Sequence, residues 1–279
     1  MPAGRPRVAV VGHVEWVEFV AVPRLPASGE IVHATGSWEE AAGGGAVAAV
    51  QLARLAGGCD FFTTFGHDET GARARAELER RGVTVHAIDR PEAQRRAITF
   101  VDAAGERTIA VLGDRLVPAG SDPLPWDRLA GADAVYVTGG DAAAIRAARA
   151  ARVLVATPRA SDVLAEAGVA IDALVFSGGD AVERAGAERL GGVARTVVET
   201  AGAEGGTWRA AGGTMGRWPR APLAGRGGDA YGCGDSFAAG LTLGLGRGDT
   251  LADAVGLGAR CGAACRAGRG PYGAPMPAP

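Results

Sequence analysis

A chain of 279 residues, 47% apolar and 22% charged, can bury the core of one large domain or two small ones. A formal net charge of −2 argues against a partner such as nucleic acid or an anionic membrane surface. No apolar run is long enough to span a bilayer, and the N-terminus lacks the charged-then-apolar order of a signal peptide, so a cytoplasmic protein is expected. In chain order, Arg7 to Val11 reads as a first strand and Ala42 to Leu55 as a helix apolar on most sides, hence buried. Phe61 to Phe65 is a strand, Asp68 caps a helix running to about Arg81, and Val83 to Ile88 is extended again. Ile98 to Asp102 and Arg107 to Val111 flank a turn at 103–106 and predict a hairpin.

From residue 134 onward the alternation is regular. Strands at 134–137, 153–156, 173–176 and 196–199 are separated by helices near 141–150, 160–167 and 180–190. That order implies a parallel sheet covered on both faces. A second hairpin, Trp208 to Ala210 with Thr214 to Trp218, precedes helices at about 235–246 and 250–266. One segment breaks the pattern. Trp16 to Val22 and Ile31 to Thr35 read as extended strands inserted after the first core strand, a small β-layer standing off the main body.

Cysteines occur at 59, 233, 261 and 265, with no Cys-x-x-Cys pair, and Cys261 and Cys265 read as small buried residues rather than metal ligands. The chain has no lysine and no asparagine, so all 29 basic residues are arginine. The pattern fits codon bias in a GC-rich genome, and a Lys or Asn expected by a motif can be absent for that reason. A Walker A loop is excluded, since it needs lysine. After the first strand, Gly12 is followed by Val14 and Val17 where a dinucleotide fingerprint needs glycines. Gly234-Asp235-Ser236 matches a serine-esterase block, but all four histidines (13, 33, 67, 86) lie upstream, and such enzymes place theirs after the serine.

The stretch Gly228 to Gly240 carries the chemistry. A Gly-rich turn that opens a helix offers unpaired backbone N–H groups to an anion, above all a phosphate. A carboxylate at such a place, Asp235, makes sense as a base that takes a proton from a hydroxyl while a phosphate is held beside it.

Asp229 to Asp235, in the pattern Asp-x-x-Gly-x-Gly-Asp, resembles the C-terminal signature of the PfkB carbohydrate kinases, the ribokinase-like family. Further stretches agree in order: Pro26 to Glu30, Gly43-Gly44-Gly45, Leu52 to Leu55, Gly66 to Gly71, Asp180 to Glu183, and Thr200 to Gly206. The resemblance implies one ribokinase-like α/β domain over 1–279: a three-layer α/β/α body with a mostly parallel central sheet. A small β-sheet lid would be built from about 13–38 and 97–112. It implies an ATP-dependent phosphotransferase acting on a hydroxyl of a small molecule, a sugar or sugar derivative. A nucleoside kinase of the same fold and a non-catalytic ligand-binding member are the alternatives.

Asp235 would be the base, with an anion hole at Gly232, Cys233 and Gly234. Asp180, Thr200, Gly202 and Gly205 would bind the nucleotide, and Glu183 would organise Mg²⁺ through its water shell. Asp229 stands where the family often binds a monovalent cation such as K⁺; a turn-capping carboxylate is the other reading. Glu15, Gly43, Gly44 and Asp141 would face the acceptor. Glu15, Val17 and Ala48 replace polar residues usual on the sugar side, so the pocket departs from a ribose pocket. Trp16 is read as lid packing ahead of a stacking role. Exposed lid strands imply a homodimer formed through the lid.

Overall fold

The computed structural model describes residues 5–223 and 227–279. Strands β1 (Val8–Val11), β2 (Glu15–Ala21) and β3 (Gly36–Ala42) lead into helix α1 (Gly44–Ala56). Then come β4 (Cys59–Gly66), α2 (Glu69–Arg80), β5 (Val83–Arg90) and the hairpin β6 (Arg96–Val101) and β7 (Arg107–Leu112). The second half runs β8 (Ala134–Val137), α3 (Ala142–Ala148), β9 (Val153–Ala156), α4 (Ser161–Ala167), β10 (Ala173–Ser177), α5 (Ala181–Leu190) and β11 (Thr196–Thr200). It ends in β12 (Gly206–Ala210), β13 (Met215–Trp218), α6 (Cys233–Arg247) and α7 (Leu251–Arg266).

Among the described residues the large sheet has the order β13-β12-β11-β10-β9-β8-β1-β4-β5. Every pairing from β5 to β11 is parallel, and β12 and β13 add an antiparallel edge. Side chains of β1 alternate between two cores, Val8 and Val10 on one face and Ala9 and Val11 on the other. The first core carries α1, α2, α6 and α7; the second carries α3, α4 and α5. The three layers and the mostly parallel sheet agree with the sequence expectation.

A separate sheet has the order β3-β2-β6-β7. Here the sequence reading needs correction. Ile31 to Thr35 is not a strand; its place is taken by β3, which pairs antiparallel with β2 from Gly36↔Ala21 to Ala42↔Glu15. The small sheet therefore continues past residue 38 to Ala42, and α1 starts at Gly44 instead of Ala42. The physical reason is packing. Trp38 stacks on Phe19 with ring centroids 4.8 Å apart, and Ala41 and Ala42 are buried, whereas Ile31 is 86% exposed. Fit to a half-buried pleated surface outweighed the β-branched residues of 31–35.

This topology positions the site. The parallel strands all end on the same side, where ligands of open α/β sheets bind. β1 runs through Gly12, His13 and Val14 directly into β2, so the small sheet springs from that same edge.

Candidate active site

Asp235 lies in the first turn of α6. The helix's first internal bond is Ser236 N–H to Gly232 O, 2.8 Å. The N–H groups of Cys233, Gly234 and Asp235 precede it and have no acceptor within the helix. Gly232 caps α6 at φ +75°, a left-handed conformation that glycine adopts without cost. The N-terminus of α1 faces it closely: a Cβ on Gly44 would sit 3.0 Å from Asp235 Oδ1. Gly43 N–H donates to Tyr231 Oη, 3.2 Å, which ties the two helix starts together.

The Asp235 carboxyl is pushed up to about 6, first by burial and then by the negative charge of Glu183, against the pull of Arg107 and Arg159. It is therefore ionised at neutral pH yet more basic than an ordinary aspartate, as a proton acceptor needs to be.

A cleft of about 710 Å³ holds this carboxylate. Glu15, Gly43, Gly44, Asp180, Glu183 and Thr200 line it, as do Gly232, Gly234 and Asp235. It adjoins a second hollow of about 470 Å³ lined by Thr200, Gly202, Gly205, Cys233, Gly234 and Phe237. Arg107, Ser177, Thr200 and Gly234 belong to both, so the two are continuous. Asp180 caps α5, accepting from Val182 N–H at 2.9 Å and Glu183 N–H at 3.1 Å. Glu183 Oε2 accepts Ser177 N–H at 2.7 Å.

Two expected residues stand elsewhere. Asp141 does not line the cleft; it caps α3, with Oδ1 accepting from Ala144 N–H (2.7 Å) and Gly120 N–H (2.8 Å). Asp229 is buried inside the turn before α6, where Oδ1 accepts Tyr231 N–H (3.0 Å) and Oδ2 accepts Gly270 N–H (2.6 Å). That is the turn-capping reading. Trp16 packs under Arg73, whose guanidinium lies 4.4 Å from its ring centre, and is absent from the cleft wall. Cys261 and Cys265 are buried free thiols, as expected.

Sequence reasoning missed the arginines. Arg95, Arg107, Arg115 and Arg159 all line the cleft. Arg95 Nε donates to Glu15 Oε1 at 2.7 Å. Arg159 Nε donates to Glu183 Oε1 at 2.6 Å, and its Nη2 donates to Asp180 Oδ2. Neither Arg107 nor Arg115 has a carboxylate within 4.0 Å among the described residues. His13 is buried, and its Nδ1 has no hydrogen-bond partner. Burial first, then Arg115 and Arg95, hold its pKa well below the ordinary value, so it presents a neutral imidazole. Its 3.7 Å approach to Glu15 is thus no ion pair at neutral pH. In a chain with 29 arginines and no lysine, no single arginine announces itself in the sequence.

Residues 5–279 match the family described as pfkB family carbohydrate kinase. The chain belongs to that family. An ATP-dependent ribose-1-phosphate kinase from Halopiger xanaduensis is 33% identical to this pfkB-family protein over 137 residues, 47% of this chain and 45% of that one. The match thus spans about half the length of that curated relative. Ribokinase from Cryptococcus neoformans var. grubii, solved with ADP, superposes with a TM-score of 0.76 at 22% identity, covering 98% of this chain and 97% of the other. Adenosine kinase from Sinorhizobium meliloti gives a TM-score of 0.75 at 18% identity, covering 96% of each chain. These superpositions establish the ribokinase fold for the pfkB-family chain. No helix among the described residues is long and apolar enough to cross a membrane.

Proposed function

We propose that this protein transfers the γ-phosphoryl group of ATP to a hydroxyl of a small sugar-like acceptor that itself carries an anionic group, a phosphorylated sugar being the best fit. The observation that carries the reaction is Asp235, a raised-pKa carboxylate at a helix N-terminus whose N–H groups are free. Asp235 takes the proton of the acceptor hydroxyl, the freed oxygen bonds to the γ-phosphorus, and the bond to the bridging oxygen of ADP breaks. Backbone N–H groups of Gly232, Cys233 and Gly234 donate to the phosphoryl oxygens as charge shifts. Thr200, Gly202 and Gly205 line the hollow that takes the nucleotide.

Glu183 offers a hard carboxylate oxygen that suits a hydrated Mg²⁺, an ion that keeps much of its water shell and is held mainly by phosphates. The fit is to a hydrated ion, with Glu183 acting through water; such an ion would neutralise phosphate charge. No group of three His, Cys, Asp or Glu side chains that could cage a metal exists among the described residues. Asp229 accepts one backbone N–H on each oxygen, which leaves lone pairs on both for a monovalent cation, and dependence of turnover on K⁺ tests that reading.

Support for an anionic acceptor comes from Arg95, Arg115 and the neutral His13 around Glu15, and from the ribose-1-phosphate kinase relative. Apolar Ile109 and Val111 also line the cleft and favour a nucleoside as the second reading. Edge strand β7, with Ile109, Val111 and Leu112 all more than 40% exposed, supports a homodimer through the small sheet, which light scattering tests.

The decisive experiment incubates the protein with Mg·ATP and matched acceptors: free pentoses, their phosphates, and nucleosides, with products read by mass spectrometry. Preference for a sugar phosphate over its parent sugar is the expected result. Preference for a free sugar or a nucleoside would remove the anionic part of the reading. Absence of both product and ATP binding would sink the kinase assignment.

A further inference from the structure

The contact between Arg159 and the two carboxylates at the start of α5 has no counterpart in the mechanism so far. Arg159 follows Pro158 in the short turn after β9, with Thr157 Oγ1 accepting its N–H at 3.4 Å. Its guanidinium bridges Glu183 and Asp180. Each carboxylate gives its other oxygen to backbone N–H groups, Ser177 for Glu183 and Val182 with Glu183 for Asp180. Three charged groups are thus fixed against the ends of β9 and β10. The Arg159 side chain is nevertheless 46% exposed and lines the cleft that contains Asp235. Only its Nε and Nη2 are engaged; Nη1 has no acceptor among the described residues.

A guanidinium has five N–H donors in a rigid fork suited to phosphate oxygens. Asp180 adds a negative charge beside the place assigned to the phosphates, where it would repel them; Arg159 cancels it.

We propose, building on the kinase reading above, that Arg159 is a phosphoryl-binding residue: Asp180 and Glu183 hold its guanidinium in place, and its free N–H groups donate to the oxygens of the transferring phosphoryl group. In a chain without lysine, arginine supplies the side-chain cation of the transfer step.

The test compares R159A and R159K with wild type in three measurements: turnover, binding of a non-hydrolysable ATP analogue against ADP by calorimetry, and thermal unfolding. The R159A variant should lose about 10²-fold in kcat. Its affinity for the ATP analogue should fall about tenfold and that for ADP by less than about twofold, because only the former carries the γ-phosphoryl group. R159K, which keeps a point charge without the fork, should fall between. Equal losses for ATP analogue and ADP, or a lower melting temperature with unchanged kcat, would overturn the assignment and leave Arg159 as a structural tie. If wild type binds neither nucleotide, the kinase reading fails, and the role of Arg159 with it. If wild type binds both and R159A matches it, only the Arg159 proposal falls.

Discussion

The two halves of the cleft are built from different materials. On the side of α6 and β11, the donors beside Asp235 are chiefly backbone, glycines and helix N–H groups, with Arg159 the cation held there by Asp180 and Glu183. On the side of the small sheet the lining is side chains, His13, Glu15, Arg95 and Arg115, which reach in from the β1–β2 connection, the start of β2 and the segments flanking β6 and β7. Backbone donors can serve any phosphate, because every nucleotide offers the same oxygens. Side chains on a separate sheet can change without disturbing the helix starts that hold Asp235. The arrangement separates what is done from what it is done to.

Four substitutions would break or sharpen that contrast. The largest expected effect is D235N, which removes the proton acceptor and leaves the backbone donors. Turnover should fall about 10³-fold or more while nucleotide affinity stays near wild type, measured by coupled assay and calorimetry. Nearly unchanged turnover would show that the base lies elsewhere. Next is R115A on the acceptor side. Losing a charge-assisted contact should raise KM for a phosphorylated sugar about 10- to 100-fold, with KM for ATP unaffected. An equal effect on the parent sugar would mean that Arg115 does not read the anion.

The smallest effects are those of pH. As the proposed base, Asp235 would have to be ionised, and its pKa is raised to about 6 by burial and by Glu183, so kcat/KM should decline below about pH 6. E183Q removes a negative neighbour and should move that decline to lower pH; R107A removes a positive one and should move it higher. The same shift fixes a sign for stability. Folded Asp235 holds its proton more firmly than the unfolded chain does, so its ionisation costs stability. That cost is absent below the unfolded value near about 4 and fully present above about 6. D235N should therefore melt roughly 5–10 °C above wild type at pH 8 and no higher at pH 4, by calorimetry.

Much of this was legible in the chain. Hydrophobic alternation located the central sheet, and Asp68 caps the helix that the sequence assigned to it. The glycines around Asp235 marked a phosphate-suited turn because local backbone chemistry is written locally. The failures share one cause, interaction across distance. Gly36–Ala42 reads as a poor strand until Trp38 finds Phe19. Asp141 looked like a cleft residue, but its carboxylate is held by Gly120, twenty-one positions away. Arg95 meets Glu15 across eighty positions, and Arg159 meets Asp180 across twenty-one. No spacing rule connects such pairs.

The guanidinium lining of the cleft also sets what chemistry can reach it. With no lysine in the chain, there is no side-chain amine for acetylation, glycation or an amine-directed covalent inhibitor to neutralise. Arginine stays protonated throughout the pH range in which proteins fold, so the positive wall is a fixed charge. Reagents that inactivate through the cleft's cations would have to be dicarbonyls, which condense with guanidinium groups.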